Sequence, residues 1–434
     1  MALALAGCAS RGPAPPPGPR VDRELQPYLL LPSSGFTAPA DAELLRRIDA
    51  AFKSELLDGD VAGAEAAAAA ALAADPAFAP AEVLRGQARL VANDPEGAGA
   101  ALAPVIARYP DYTAAQLAAA RAAEVRGDVA AAYGAYRRIA SALPLALERA
   151  GELHAPAVAA LAARVEDALA RSRLDEARAH LATLVQWAPA DQATLEASMS
   201  VARAARDARA ELEAVRGLLG SARSVTEGDE ALLERRGELE LEVGHPSAAI
   251  EVFEALAKRH PDAPRYADLV DLAKFRWRVS NLPSEVRRLV DAPELTRAEL
   301  AVLLYWLVPG VRAAVVSEPH IASDILDHPR RQEIMRVVNL QLMDVDETLR
   351  RFNPDWRVHR VQALRALLRA LQRAQPAPAC VGPIAGNPSP SREATCAVAA
   401  ACGFLPEAAD CLPDAGLSGA DAATWIRRTG ALLP

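Results

Sequence analysis

Aromatic residues make up only 4% of this 434-residue chain, and lysine is scarce beside arginine. Alanine supplies much of the 51% hydrophobic fraction. It favours helix strongly and buries little area, so the chain reads as all-helical and thinly packed. The formal net charge is −8, which argues against nucleic acid, a ligand that needs a basic stripe. No segment beyond the first residues is apolar for long enough to span a bilayer. H-E-x-x-H, G-x-S-x-G, a phosphate-cradling P-loop and G-x-G-x-x-G are all missing. The paired C-x-x-C of a zinc ribbon is missing too. These absences predict a protein without catalysis, cofactor or metal centre.

What is present is a beat. Pro76, Pro110 and Pro144 stand 34 residues apart. A polar turn precedes each: Gly59-Asp60, Asn93-Asp94 and Gly127-Asp128. Twelve residues before these prolines, and before Pro189 and Pro261, stand Ala64, Ala98, Ala132, Ala177 and Ala249. Eight before stand Ala68, Leu102, Tyr136, Leu181 and Phe253, mostly large. Twenty-four before stand Phe52, Gly86, Ala120, Val165 and Gly237, mostly small. A fixed period of this size marks a solenoid of supersecondary units. Between Asp41 and Trp277 the pattern resembles the tetratricopeptide repeat, a helix-turn-helix unit with small residues at the helix crossing. The resemblance implies a curved stack of about six or seven hairpins whose concave face holds a protein partner. The 45-residue step from Pro144 to Pro189 predicts an insertion near Ala146–Pro156. The unit from Asp191 to Thr226 lacks its proline and reads as degenerate. Tyr266 to Val279 reads as a closing helix, with Phe275 and Trp277 covering the last repeat.

Residues 1–40 read as a tether. Leu5-Ala6-Gly7-Cys8 resembles a bacterial lipobox, which implies lipidation of Cys8 and a true start upstream of Met1. The stretch Arg11–Arg20 holds five prolines and reads as extended. Ala9 after the cysteine resembles the sorting signal for the outer membrane, facing the periplasm. An apolar knot, Tyr28 to Leu31, is expected to pack on the first repeat.

After residue 280 the beat stops, and 281–434 reads as a separate small helical domain. Leu295-Thr296-Arg297-Ala298-Glu299-Leu300 opens an apolar helix, with Thr296 as N-cap and Glu299 at the capping-box position. This resembles the Thr-Arg-Ala-Glu signature of S-layer homology modules. Asp324 and His328, then Phe352-Asn353-Pro354 and Val358-His359-Arg360-Val361, resemble the same module again. Leu417-Ser418-Gly419-Ala420 resembles a third copy, which lacks the arginine. The resemblance implies wall-polymer or partner binding through Thr296, Arg297, Glu299, Asp324, His328 and Arg360. Arg297 and Glu299 fit equally as helix-start residues on a solvated face. Trp306, Trp356 and Trp425 read as core, and Arg203, Arg206 and Arg209 as a solvated face.

Cys380, Cys396, Cys402 and Cys411 cluster near the end. In an exported chain they predict two disulfides among three possible pairings. The fold class expected is therefore all-α, a tetratricopeptide-type solenoid followed by a small S-layer-homology-like domain. The function expected is an envelope scaffold anchored by lipid, binding protein and possibly peptidoglycan or other wall polymer. The alternative is a lipoprotein subunit of an export or outer-membrane assembly machine with protein partners only.

Overall fold

A computed structural model describes residues 23, 25–29, 42–221, 227–316, 322–346, 348–387 and 389–433. Cys8, the proline-rich tether and the Ser317–His320 stretch lie outside the described residues. The chain divides into two compact units, 1–221 and 222–434. Among the described residues both are helical, with isolated β-bridges only.

In the first unit the helices are α1 (Ala42–Ala51, continued by a π turn over Phe52–Leu56), α2 (Val61–Ala74), α3 (Ala79–Val91) and α4 (Pro95–Arg108). Then come α5 (Thr113–Val125), α6 (Val129–Ile139), α7 (Pro144–Ala170), α8 (Leu174–Trp187), α9 (Gln192–Ala205) and α10 (Ala208–Ser221). They pack as successive antiparallel hairpins. A sixth hairpin, α11 (Glu227–Val243) with α12 (Pro246–Arg259), opens the second unit and is followed by α13 (Pro264–Ser280).

Each hairpin turn is one residue in the left-handed region: Gly59, Asn93, Gly127, Ser172, Arg206 and Gly244. A helix N-cap follows at once. Asp60, Asp94, Asp128 and Asp207 each accept a backbone N–H three residues on, at 2.8–3.0 Å, a contribution of about 1 kcal/mol apiece. The unit that lacks its proline is thus a regular hairpin. Arg206 takes the left-handed turn at φ 57° without a glycine, so composition hid it.

The 45-residue step is absorbed inside one 27-residue helix, α7, with Pro156 within it. The excess over 34 is 45 − 34 = 11 residues, about three turns at 3.6 residues each. The inserted turns therefore leave the buried stripe in phase with the next hairpin.

The two size columns pack on each other. A Cβ on Gly86 would stand 2.8 Å from Leu102, and one on Gly237 2.5 Å from Phe253. The first hairpin reverses the order, with large Phe52 and small Ala68, both fully buried. One side must be small wherever the other is large. Gly237→Val should therefore cost about 2–3 kcal/mol by overpacking, and Phe253→Ala about 3–5 kcal/mol by cavity formation. In a double-mutant cycle by chemical denaturation, the pair should cost at least about 1 kcal/mol less than the sum. Strict additivity would show that these residues do not meet.

The second unit continues with α14 (Ser284–Arg287), α15 (Arg297–Leu307), α16 (Arg331–Asn339), α17 (Arg360–Gln372), α18 (Arg392–Ala401) and α19 (Gly419–Leu432). Its main core joins Phe275 and Val279 of α13 to Leu282, Val286 and the apolar faces of α15, α17 and α19. The core thus runs straight through residue 281, where the 34-residue beat ends. Phe275 is buried in it, whereas Trp277 stays 47% exposed.

Candidate functional site

The repeat face of the first unit carries a short, single-turn segment of the chain itself. Residues 26–28 form a single 3₁₀ turn. Leu25 and Leu29 on either side are fully buried in the core of the first three hairpins. The Tyr112 hydroxyl donates to the carbonyl of Leu29. Burial pushes the Tyr112 phenol well above its usual range, so it stays a donor at physiological pH. Tyr112 is the N-cap residue of α5, so the apolar knot reaches the third hairpin rather than only the first. The signal in the sequence is an aromatic two residues past the repeat proline. Phe78 and Tyr112 occupy that position, and both are fully buried.

Charged groups line the same hairpins. Glu82 on α3 pairs with Arg108. Burial raises its carboxyl above the usual value, and the arginine only partly offsets this. Glu124 accepts from Tyr136 Oη at 2.7 Å, Arg149 Nε at 3.1 Å and Arg121 Nη1 at 3.2 Å. Burial would raise this carboxyl, but those donors and charges hold it below its usual value. The arginine row lies on a solvated face as expected, with Arg203, Arg206 and Arg209 all exposed, and one of them also reaches a buried acid. Arg203 Nε donates at 3.0 Å to Glu211, which is 2% exposed.

The three motif copies of the second unit close on each other through two cycles of backbone hydrogen bonds. In the inner cycle Leu295 N–H donates to Leu417 O (2.8 Å), Val358 N–H to Leu295 O (3.0 Å) and Leu417 N–H to Val358 O (3.1 Å). In the outer cycle, one helix start further on, Arg297 N–H donates to Trp356 O (2.8 Å), Arg360 N–H to Ala415 O (3.0 Å) and Gly419 N–H to Ala292 O (2.8 Å). Each helix start is thereby satisfied by a neighbouring copy, where otherwise buried N–H groups would be orphaned.

The caps follow the sequence. Thr296 and Glu299 form a reciprocal capping box: Thr296 N–H donates to Glu299 Oε2 at 2.8 Å. Gln362 plays the glutamate's part by accepting from His359 N–H at 3.0 Å. Ser418 accepts from Asp421 N–H at 3.1 Å.

The motif arginines turn inward. Arg297 donates to Phe352 O (2.8 Å) and Asp344 O (2.6 Å), with its guanidinium over the Phe352 ring. Burial pulls it below the ordinary arginine value. Arg360 pairs with Asp421, donates to Cys411 O (3.1 Å) and lies over the Trp425 ring. Asp324 accepts Phe352 N–H (2.8 Å) and Asn353 N–H (2.7 Å). His328 Nδ1 accepts Arg330 N–H at 3.0 Å, as a turn cap. Thr296, Arg297, Glu299, Asp324 and Arg360 are thus gathered in the lattice between copies, and His328 caps its own turn. Trp425 is buried and Trp306 half-buried, but Trp356 is 66% exposed, a correction to its reading as core.

The four cysteines sit in two pairs at disulfide distance, Cys380 with Cys402 and Cys396 with Cys411, their Cα atoms 5.2 and 5.6 Å apart. Both bridges serve the third copy.

No family model matches the chain, and no curated protein matches it. Among solved structures it is similar to the P58(IPK) TPR domain, at 14% identity over 86% of this chain and 96% of that one, with a TM-score of 0.27. It is also similar to pilF of Pseudomonas aeruginosa, at 13% identity over 52% and 97%, with a TM-score of 0.23. A tetratricopeptide repeat protein of Parabacteroides merdae matches at 15% identity over 54% and 98%, with a TM-score of 0.23.

Proposed function

We propose that this chain is a non-catalytic scaffold of the bacterial envelope that holds a short leucine-bearing segment of a protein partner on the first helices of its repeats. The observation that carries the reading is the seating of Leu25 and Leu29 beside Tyr112. A face that buries two leucines flanking a single turn and hydrogen-bonds the backbone of that segment has the chemistry to take another. A lipid on Cys8 would hold the scaffold at the outer membrane, facing the periplasm. The C-terminal modules would then meet wall polymer.

A second reading has its own support. The guanidinium groups of Arg297 and Arg360 are already occupied by carbonyls and Asp421. They are poorly placed for an anionic glycan, which favours a subunit of an export or assembly machine with protein partners only. One assay tests the lipid that both readings share, and a second separates them. Palmitate labelling of the chain, expressed from its own gene, should be lost in Cys8→Ser. Co-sedimentation with purified peptidoglycan supports the wall contact, and no sedimentation removes it.

A further inference from the structure

Within the second unit, α12, α13 and α19 enclose an open cleft of about 510 Å³, inside the roughly 300–1,000 Å³ range of small-ligand sites. Its walls bring together Lys274, Trp277 and Arg278 from α13 with Arg427 and Gly430 from α19. Asp271 is the one acid on the lining, so the cleft is cationic in a chain whose net charge is −8.

The cations are not equivalent. Lys274 is paired with Glu254 at 2.9 Å. Arg278 Nε is buried and has no hydrogen-bond partner. Burial pulls the Arg278 guanidinium below its ordinary value, and Asp271 offsets this only in part. Arg427 has no ion pair among the described residues. The Arg278 guanidinium lies over the Phe275 ring, but a buried guanidinium N–H without an acceptor is still costly unless something supplies one. Beside it, Trp277 exposes 47% of its surface, although the start of its helix is well packed. The cleft therefore offers two cationic forks, a flat apolar plate and an apolar floor at Ile250.

We infer that this cleft binds an anionic sugar, whose carboxylate or phosphate is taken by Arg278 and Arg427 while its ring lies on Trp277. Arginine forks match both anions in geometry. The aromatic plate beside them suits a sugar's apolar ring face and fits an acidic peptide backbone less well. The site lies apart from the motif arginines, whose guanidinium groups are used inside the module. It deepens the wall-polymer reading by naming the residues and the chemistry of the contact.

The test uses the full-length chain in titration calorimetry and tryptophan fluorescence. The probes are a tetramer of galacturonic acid, its neutral methyl ester, mannose 6-phosphate and a glutamate-rich peptide. The acid tetramer or the sugar phosphate should bind, and which of them binds more tightly identifies the anion. The ester should bind about tenfold more weakly or worse, the loss expected for a charge-assisted contact. Arg427→Ala and Arg278→Ala should each weaken binding by about tenfold, and Trp277→Ala should abolish the fluorescence change. Arg427 is half-exposed and unpaired, so its variant decides the question even if Arg278→Ala disturbs packing. Equal binding of acid and ester, no effect of Arg427→Ala, or preference for the peptide would overturn the site. Sedimentation with peptidoglycan that is indifferent to Arg427→Ala sinks the cleft and leaves the wall reading standing. Sugar binding without sedimentation does the reverse.

Discussion

Gly419→Arg, the substitution that completes the third copy of the motif, is expected to destabilise the second unit rather than strengthen it. Copies one and two place an arginine at this position, and each guanidinium reaches into the approach loop of the next copy. The third copy instead meets the segment that leads into the first. A Cβ on Gly419 would stand 2.0 Å from the carbonyl oxygen of Leu289 and 2.7 Å from that of Val290. Both are backbone atoms and cannot swing away. The Gly419 N–H also donates to Ala292 O at 2.8 Å, so the helix cannot retreat without breaking the outer cycle. Even Gly419→Ala should cost about 3 kcal/mol, at the upper end for overpacking, and arginine should cost more. Thermal unfolding followed by near-ultraviolet circular dichroism should show a lowered transition for both variants. A chain with more than one compact unit need not melt in one step, so the readout is the position of that transition. An unchanged midpoint in Gly419→Arg would show that the copies do not close on each other.

The second large effect belongs to the cysteines. The 396–411 and 380–402 bridges close loops of 15 and 22 residues. Loops of that size should each stabilise the folded chain by about 3 kcal/mol, chiefly by restricting the unfolded state. The 396–411 bridge also fixes the 3₁₀ turn whose Cys411 carbonyl accepts from Arg360. Its loss should therefore loosen the contact between the second and third copies. Paired Cys396→Ser and Cys411→Ser substitutions should lower the unfolding midpoint of the second unit. In the folded oxidised chain all four thiols of this cluster should resist alkylation. Free reaction of the four, or an unfolding curve indifferent to reductant, would contradict the pairing.

The sequence made the local features legible and hid the long-range ones. The turns, the aspartate caps and the buried alanine column recur every 34 residues because each is set within a single hairpin. Thr296 and Glu299 announced their capping box for the same reason. Leu295, Val358 and Leu417 were legible as starts of three related helices. That their backbones bond in a cycle was not, because those bonds join residues 59 to 122 positions apart. Arg206 escaped notice because an arginine can take a left-handed turn when the hairpin around it is otherwise well packed. Trp356 was misread because nearness to an apolar helix along the chain does not fix which way an indole faces. Leu29 looked like part of a local knot from Tyr28 to Leu31, yet its partner Tyr112 lies some eighty residues on, and Leu25 stood outside that reading.

The repeat face as a holder of short leucine-bearing segments can be tested on the protein directly. Leu25→Asp with Leu29→Asp should expel the resident segment and leave the hairpins folded. A synthetic peptide of residues 20–41, titrated calorimetrically into that variant, should then bind. Titrated into the unaltered chain it should not, because a tethered segment competes at an effective concentration of about millimolar. Saturable heat with the emptied variant alone is the result required. No binding to that variant, with its helical content intact, would contradict a scaffold built on this face.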